Sequence, residues 1–257
     1  LHLALIGTCL LALHAYAARP NTFRLLVFLG LYAASFGNHF GMILMLVPFA
    51  FFIIQVHPTP RTLFRARIVL ATLAIVIVAA LEYTPNFLAV WRSLNASVTW
   101  SDRLAAFWFD VTKQDWRETM VLGISPDQVG DRLAMWWFDA RQQFGVVGLG
   151  LALAGAVGLW RTSRPWAVLT STAYAMVTAF AFTYNVGDSH VFFLPGHYIT
   201  AFCAGAGVAF VMPRGRGGGV ARLAPRAIVV TLALGYAGGR AGSTWPAVDR
   251  HDDRRGE

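Results

Sequence analysis

Long apolar stretches separated by short charged segments are the feature that most restricts how this chain folds. Seven such stretches can be marked, and the longest approach the ~20 residues that a helix needs to cross the hydrocarbon of a bilayer. A water-soluble chain would distribute its apolar residues at helical or strand periods. Hydrophobic residues make up 56% of the chain and charged residues 13%. We therefore expect an all-α integral membrane protein built as a multi-span helical bundle.

The predicted spans divide the chain into four parts. The apolar stretches are 1–18, 25–35, 40–56, 68–81, 144–160, 166–183 and 195–212, with a shorter, Gly-rich eighth at 227–237 whose status the sequence leaves open. The predicted parts are spans at 1–83 with a broken hairpin at 35–40, an extracytoplasmic segment at 84–143, spans at 144–213 with an outer loop at 184–194, and a basic linker, doubtful short span and polar tail at 214–257.

Arginine in the short loops sets the predicted orientation, because cytoplasmic loops carry the excess of Lys and Arg. Three loops are marked in this way, by Arg61, Arg65 and Arg67, by Arg161 and Arg164, and by Arg214, Arg216, Arg222 and Arg226. The loop at 184–194 has no Lys or Arg and lies one span from the second and third of them. It is therefore predicted outside, as is the long segment 82–143.

The stretch 25–56 is predicted to be a hairpin and not a single helix. As one helix it would measure ~48 Å and would leave Arg19 and Arg24 outside, against the positive-inside rule. A break at the sequence SFGNHF returns both arginines to the cytoplasm. Asn38 and His39 would then share a side of the membrane with Asp188.

Two polar clusters are therefore expected on the outer side, and each has a simpler explanation. Polar backbone and ionisable side chains at membrane depth are candidates for function, and Asn38 with His39 at a helix start offers donors to a phosphate. Asn38 and Asp188 are equally suited to helix capping, and His39 to packing inside the bundle. Asp188 with His190 nearby suggests a hydrogen-bonding or ion-pair site, whereas His197 is interpreted as an interfacial anchor. The segment 191–194 is expected to be extended or interfacial and to lead into a helix that starts at Pro195.

The outer segment is rich in Trp and Phe mixed with charges, which suits helices lying in the membrane interface. Two short amphipathic helices are predicted, at 101–109 and 128–142. Aromatic faces with carboxylates and amides also bind sugars, but an aromatic belt is the commoner explanation. Lys113 and Arg117 are the basic residues best placed to meet a lipid phosphate from outside.

Several other classes of site are not indicated. The two cysteines lie in apolar stretches and form no disulfide framework, and the histidines lack the spacing of a zinc site. The net charge of +8 is concentrated in the predicted cytoplasmic loops. It is explained by the orientation of the chain in the membrane and by contact with anionic lipid, and no nucleic-acid partner is expected. Because the chain opens on Leu1 inside an apolar run, without an initiator Met, we expect a fragment truncated at its N-terminus.

Two longer segments carry a resemblance to a known family. With GLYAASFGNHFGMILMLVPF and TYNVGDSHVFFLPGHYITAFCAGAG in view, and VTKQDWR between them, the chain resembles a bacterial multi-span membrane family. That family is related to the eukaryotic plexin-type transmembrane O-mannosyltransferase, within the GT-C superfamily of polyprenyl-phosphate-sugar glycosyltransferases. The resemblance covers most of residues 1–213. It implies a GT-C-like bundle in a membrane, and for a bacterial chain an inner membrane with the site facing the periplasm.

The resemblance also implies an activity and roles for particular residues. A sugar, expected to be mannose, would pass from a polyprenyl-phosphate donor to an extracytoplasmic protein or glycan, with no cofactor. The usual general base lies in a first outer loop, which would precede Leu1. Of the residues present, Asp188 would act in catalysis or orient the sugar or acceptor, together with His190. The other implied substrate-binding residues are Asn38, His39, Lys113 and Tyr184.

Two other functional classes fit the same residues. In a multi-span transporter or lipid flippase, Asp188, His190 and His39 would form a proton or substrate pathway, although no internal repeat is visible. In a non-catalytic scaffold, the aromatic outer segment would bind a partner and the polar clusters would only cap helices. The sequence leaves both readings open.

Overall fold

The computed structural model describes residues 1–37, 40–95, 97–212 and 220–248. Throughout these residues, the regular secondary structure is helical. The α-helices are α1 His2–Ala18, α2 Thr22–Ser35, α3 Leu46–Val56, α4 Ala66–Ala80, α5 Thr84–Ser93, α6 Trp100–Thr112, α7 Gln114–Met120, α8 Val129–Thr162, α9 Arg164–Thr183, α10 Leu194–Val211 and α11 Val220–Val248. Short 3-10 helices occupy Phe40–Met45, Pro60–Phe64, Leu81–Tyr83, Pro126–Gln128 and Ser189–Phe193.

Four helical segments are long and apolar enough to span a membrane, which defines the chain as an integral membrane protein. They are Ala66–Ser93, Pro126–Thr162, Arg164–Thr183 and Ser189–Val211. The helices α1 and α2 and the segment Gly41–Val56 are apolar but shorter. On the spanning helices, large apolar side chains such as Ile77 and Leu153 are more than 60% exposed, as expected for surfaces that face lipid.

The stretch predicted to be a hairpin is interrupted between Ser35 and Phe40. Beyond the interruption, the chain continues as a 3-10 helix and then α3. The Tyr32 hydroxyl donates to the Met42 carbonyl oxygen at 3.0 Å, and the Phe28 and Phe49 rings meet edge-on at 5.3 Å. These contacts pair residues at increasing distance from the turn, so α2 runs antiparallel to the segment that follows it.

The outer segment is helical at both of the predicted positions. The first predicted helix is α6, which begins after Thr99, whose side chain accepts a hydrogen bond from the Asp102 amide. The second, predicted at 128–142, corresponds to the first part of α8. A kink at Gly145, with φ 58° and ψ −179°, separates this part from the span that follows, so α8 consists of two helices joined at Gly145. Glycine alone adopts this conformation readily.

The segment before α10 also differs from its prediction. Residues Ser189–Phe193 form a 3-10 helix and not an extended segment, and α10 begins at Leu194, with Pro195 in its first turn. His197 is 5% exposed and lies within the bundle, so the interpretation of His197 as an interfacial anchor is wrong. Pro195 is favoured at a helix start because it lacks an amide hydrogen, and this places His197 on the first turn that enters the core.

The most extensive helix–helix contact among the described residues, between α8 and α10, depends on glycine. Where α8 crosses α10, a Cβ on Gly155 would overlap the Cys203 carbonyl oxygen, and a Cβ on Gly207 would overlap the Leu151 carbonyl oxygen. Small residues at such crossings let helix backbones approach closely inside a membrane. The α8–α10 pair is therefore the rigid part on which the loop after α9 and the polar end of α8 are held.

Candidate functional site

The loop between α9 and α10 is held by ring contacts within itself and with α9, and by hydrogen bonds to α7 and α8. Tyr184 stacks on Phe180 with ring centroids 4.9 Å apart and meets Phe192 edge-on at 4.7 Å. The Asn185 amide donates to the Met120 carbonyl oxygen at 2.9 Å, and the Arg132 guanidinium donates to the Val186 carbonyl oxygen at 3.1 Å. The loop is thus attached to the end of α7 and to the first turns of α8.

Asp188 and His190 emerge from this loop in different environments. Asp188 is exposed at the start of the 3-10 helix, and its side chain makes no capping hydrogen bond within the part of the chain that the structure describes. His190 is also exposed, but it lines a large groove beside α10. Of these two predicted site residues, His190 is therefore the one that lines a groove.

Lys113 lies elsewhere, at the turn from α6 to α7. It has the left-handed conformation, with φ 45°, and its ammonium group forms an ion pair with Asp110 at 2.6 Å. The hydrogen bond from Lys113, helped by one from Asn86, lowers the pKa of the Asp110 carboxyl. The small cavity here, about 290 Å³, is lined by Phe109, Asp110, Lys113 and Asp115. It is separate from the groove that His190 lines.

Asn38 and His39 fall outside the described residues, so their meeting with Asp188 stays a prediction. The residues just before them are anchored to the start of the outer segment. The Tyr83 hydroxyl donates to the Phe36 carbonyl oxygen at 3.1 Å, and a Cβ on Gly37 would overlap the Glu82 side chain. The residues just before Asn38 therefore lie against the 3-10 helix that follows α4.

A large groove lies between α8, α10 and α11, with a volume of about 900 Å³. We call it the α8–α10–α11 groove. Its walls are mainly apolar and include seven small residues, namely Gly148, Ala201, Ala204, Gly205, Ala233, Ala237 and Ala241. Such residues on three helices leave space that larger side chains would fill, and the volume is in the range of small-molecule sites.

One end of this groove is polar. Asp139, Gln142 and Gln143 from α8, His190 from the loop and Arg240 from α11 all line it. The Asp139 carboxyl also interacts electrostatically with both His190 and His197. Carboxylate, amide and imidazole groups together provide donors and acceptors in one place, which is the chemistry of a binding site for a polar group.

The bend at Gly145 helps to form this polar end. A bend in a helix frees backbone carbonyl groups, which must be satisfied inside a membrane. The Tyr236 hydroxyl donates to the Phe144 carbonyl oxygen at 2.6 Å, and the Arg240 guanidinium donates to the carbonyl oxygens of Arg141, at 3.3 Å, and Gln142. The side chains of α11 therefore hold the bend and close one side of the groove. This helix contains the doubtful stretch 227–237.

Sequence reasoning missed most of the polar end. Asp139, Gln142 and Gln143 were assigned to an interfacial helix that ends before the span, and His197 was interpreted as an anchor. The available signal was position, because Asp139 is the last acidic residue before the apolar stretch 144–160. Among the residues that the structure describes, no group of three His, Cys, Asp or Glu side chains is placed to hold a metal ion.

The fold and these sites define the chain as an all-helical integral membrane protein with a polar-ended groove between its last helices. No family model, curated protein or solved structure matches the chain.

Proposed function

We propose that the chain is part of a membrane glycosyltransferase. It would transfer a sugar, mannose being the first candidate, from a polyprenyl-phosphate donor to an extracytoplasmic protein or glycan acceptor. For a bacterial chain the membrane would be the inner membrane and the site would face the periplasm. The observation that carries the proposal is the α8–α10–α11 groove, whose apolar walls lead to Asp139, Gln143 and His190.

A groove of this shape suits a reactant that is attached to lipid. Its apolar part can accommodate a hydrocarbon chain within the bilayer, while its polar end accepts the head group. Trp136 and Trp137 lie one turn before Asp139 on α8, and such residues are enriched at the membrane–water interface. The polar end would therefore lie at the level of lipid head groups, where an acceptor from the aqueous side can also arrive.

The proposed transfer needs a proton acceptor and a site for the phosphate. The acceptor hydroxyl oxygen would form a bond to the anomeric carbon, the bond from that carbon to the phosphate oxygen would break, and the lipid phosphate would leave with the electron pair. The hydroxyl proton would pass to a carboxylate, for which Asp188 in the loop and Asp139 in the groove are candidates. Asn38, His39, Lys113 and Tyr184 remain proposed contacts to the donor, with His190 orienting the sugar.

The test uses the full-length protein in membranes with labelled polyprenyl-phosphate-mannose. Wild type is compared with Asp139→Asn, Asp188→Asn and His39→Ala, and Asp127→Asn in the 3-10 helix before α8 serves as the control. Loss of a general base lowers such rates by about 10²–10⁴-fold, so a fall of that size in an Asn variant at unchanged protein level is expected. Transfer that is absent in wild type, or unaffected by all three changes, would refute the proposal. Proton-coupled uptake altered by Asp188→Asn would favour a transporter instead.

A further inference from the structure

We propose that the α8–α10–α11 groove binds a membrane lipid with an uncharged, hydroxyl-rich head group, and that this lipid is the acceptor of the transferred sugar. The acceptor role rests on the proposed function, whereas the binding of the lipid does not. The acceptor role narrows the acceptor from any extracytoplasmic protein or glycan to a glycosyl lipid that reaches the site within the bilayer.

The walls of the groove fit a hydrocarbon chain. Ala201 and Gly205 of α10 line it together with Ala233 and Ala237 of α11, and a Cβ on Gly205 would meet nothing within 4 Å. Ala201 and Ala237 are exposed. An open apolar groove in a membrane is filled by acyl or prenyl chains because no water competes for it. The groups at the polar end then determine which lipid head group binds.

The charges at the polar end oppose a phosphate head group. Arg240 is the one Lys or Arg among the described residues that line the groove. Its Nη2 atom donates to the carbonyl oxygens of Arg141 and Gln142, and its Nε atom is buried with no partner among the described residues. The Asp139 carboxylate would repel a second anion. Carboxylate and amide groups are instead matched to hydroxyls, since a hydroxyl both donates and accepts.

A buried and unsatisfied histidine lies beside the same cluster. The Nε2 atom of His197 has no hydrogen-bond partner among the described residues, although His197 is only 5% exposed. Its ring lies 5.9 Å from that of Phe144, a wall of the groove, and it interacts with Asp139. Buried polar atoms are nearly always paired, so a polar partner for His197 is expected next to the groove, although His197 is not one of the residues that line it.

Photolabelling tests the binding without any transfer reaction. Full-length protein in phosphatidylcholine nanodiscs is labelled with a photoactivatable long-chain alkyl glycoside, and labelled peptides are identified by mass spectrometry. Competition is measured with unlabelled dodecyl glycoside and with dodecyl phosphate. Ala201→Leu fills the groove, and Ala209→Leu is the matched control, since it is an exposed alanine on the same helix that does not line the groove.

We expect saturable labelling on α8, α10 and α11, with the glycoside competing at least about tenfold better than the phosphate, a difference of ~1.4 kcal/mol. Ala201→Leu should lower labelling by a similar factor and Ala209→Leu should leave it as in wild type. Asp139→Asn should remove the preference for the glycoside over the phosphate. Equal competition by the two amphiphiles, labelling that neither of them displaces, or labelling unchanged in Ala201→Leu would overturn the inference.

The same preparations separate the inference from the proposed function. Saturable labelling without sugar transfer would support the binding site and refute the glycosyltransferase. Transfer that proceeds equally in wild type and Ala201→Leu, with labelling unchanged, would support the glycosyltransferase and refute the lipid acceptor in this groove.

Discussion

Replacing Gly155 by alanine tests the close crossing of α8 and α10 on which the groove depends. A Cβ at this position would overlap the Cys203 carbonyl oxygen and would lie 2.6 Å from the Gly207 amide nitrogen. Both are backbone atoms of α10, so no side-chain rotation relieves the overlap, and the two helices must move apart. Such overpacking costs about 1–3 kcal/mol.

The control for this change is Gly150→Ala on the same helix, where an added Cβ would meet nothing within 4 Å. Both variants gain the same helix propensity, about 1 kcal/mol in water, so the difference between them isolates the overlap. That difference corresponds to roughly a 5- to 150-fold change in the ratio of folded to unfolded protein. At about 2–4 °C per kcal/mol for a chain of this size, it should be visible in a melting curve.

The assay follows the reaction of a thiol-sensitive dye with Cys203 during heating, in a Cys9→Ala background. Both native cysteines are buried, so the dye reports unfolding, and Cys203 lies directly at the crossing. Gly155→Ala should react at a lower temperature than Gly150→Ala. If the two variants melt at the same temperature, or if Gly155→Ala is the more stable, the helices do not approach as closely as described. That result would also refute the placement of the groove, which depends on this crossing.

Two further predictions concern the outer segment and the topology. The hydrogen bond from Lys113 lowers the Asp110 pKa. The stabilisation by this pair is therefore present at neutral pH and is lost as the pH falls through the folded-state pKa of Asp110. It is below about 1 kcal/mol because the pair is largely exposed. Lys113→Met should raise that pKa toward its ordinary value in a carboxyl NMR titration, whereas Arg117→Met should not, and an unmoved pKa would contradict the ion pair. For topology, cysteines at the exposed positions Gly187 and Thr59 should react with an impermeant reagent from opposite sides of the membrane, and reaction from one side would refute the predicted orientation.

The sequence predicted the helical class because the apolar stretches are long and nearly free of charge. The interruption after Ser35 was also predicted, since 32 consecutive residues exceed one span and the flanking arginines favour an even number of crossings. The predicted end of the second outer helix, at residue 142, lies close to the kink at Gly145. The contacts of Phe144 and Gln142 with α11 were not predicted, because they join residues more than 90 positions apart along the chain.

The candidate site was predicted in part for a related reason. His190 was singled out because charged and imidazole groups are rare beside long apolar stretches, and it lines the groove. Asp139 was overlooked because its neighbours Trp136, Trp137 and Arg141 give it the composition of an interfacial helix. Its contribution depends on α10 and α11, which are more than 50 residues away along the chain, and hydrophobic periodicity contains no information on such distant partners.

The contacts that hold the kink at Gly145 connect these observations into one physical account. The kink separates the outer part of α8, which contains Asp139, from the span that packs against α10 at Gly155. Without further contacts, Asp139 would lie on an element free to move relative to the bundle. Tyr236 and Arg240 satisfy the carbonyl groups that the kink exposes and join the outer part of α8 to α11. The polar end of the groove is therefore held in place by α11, as a site that orients a lipid head group requires.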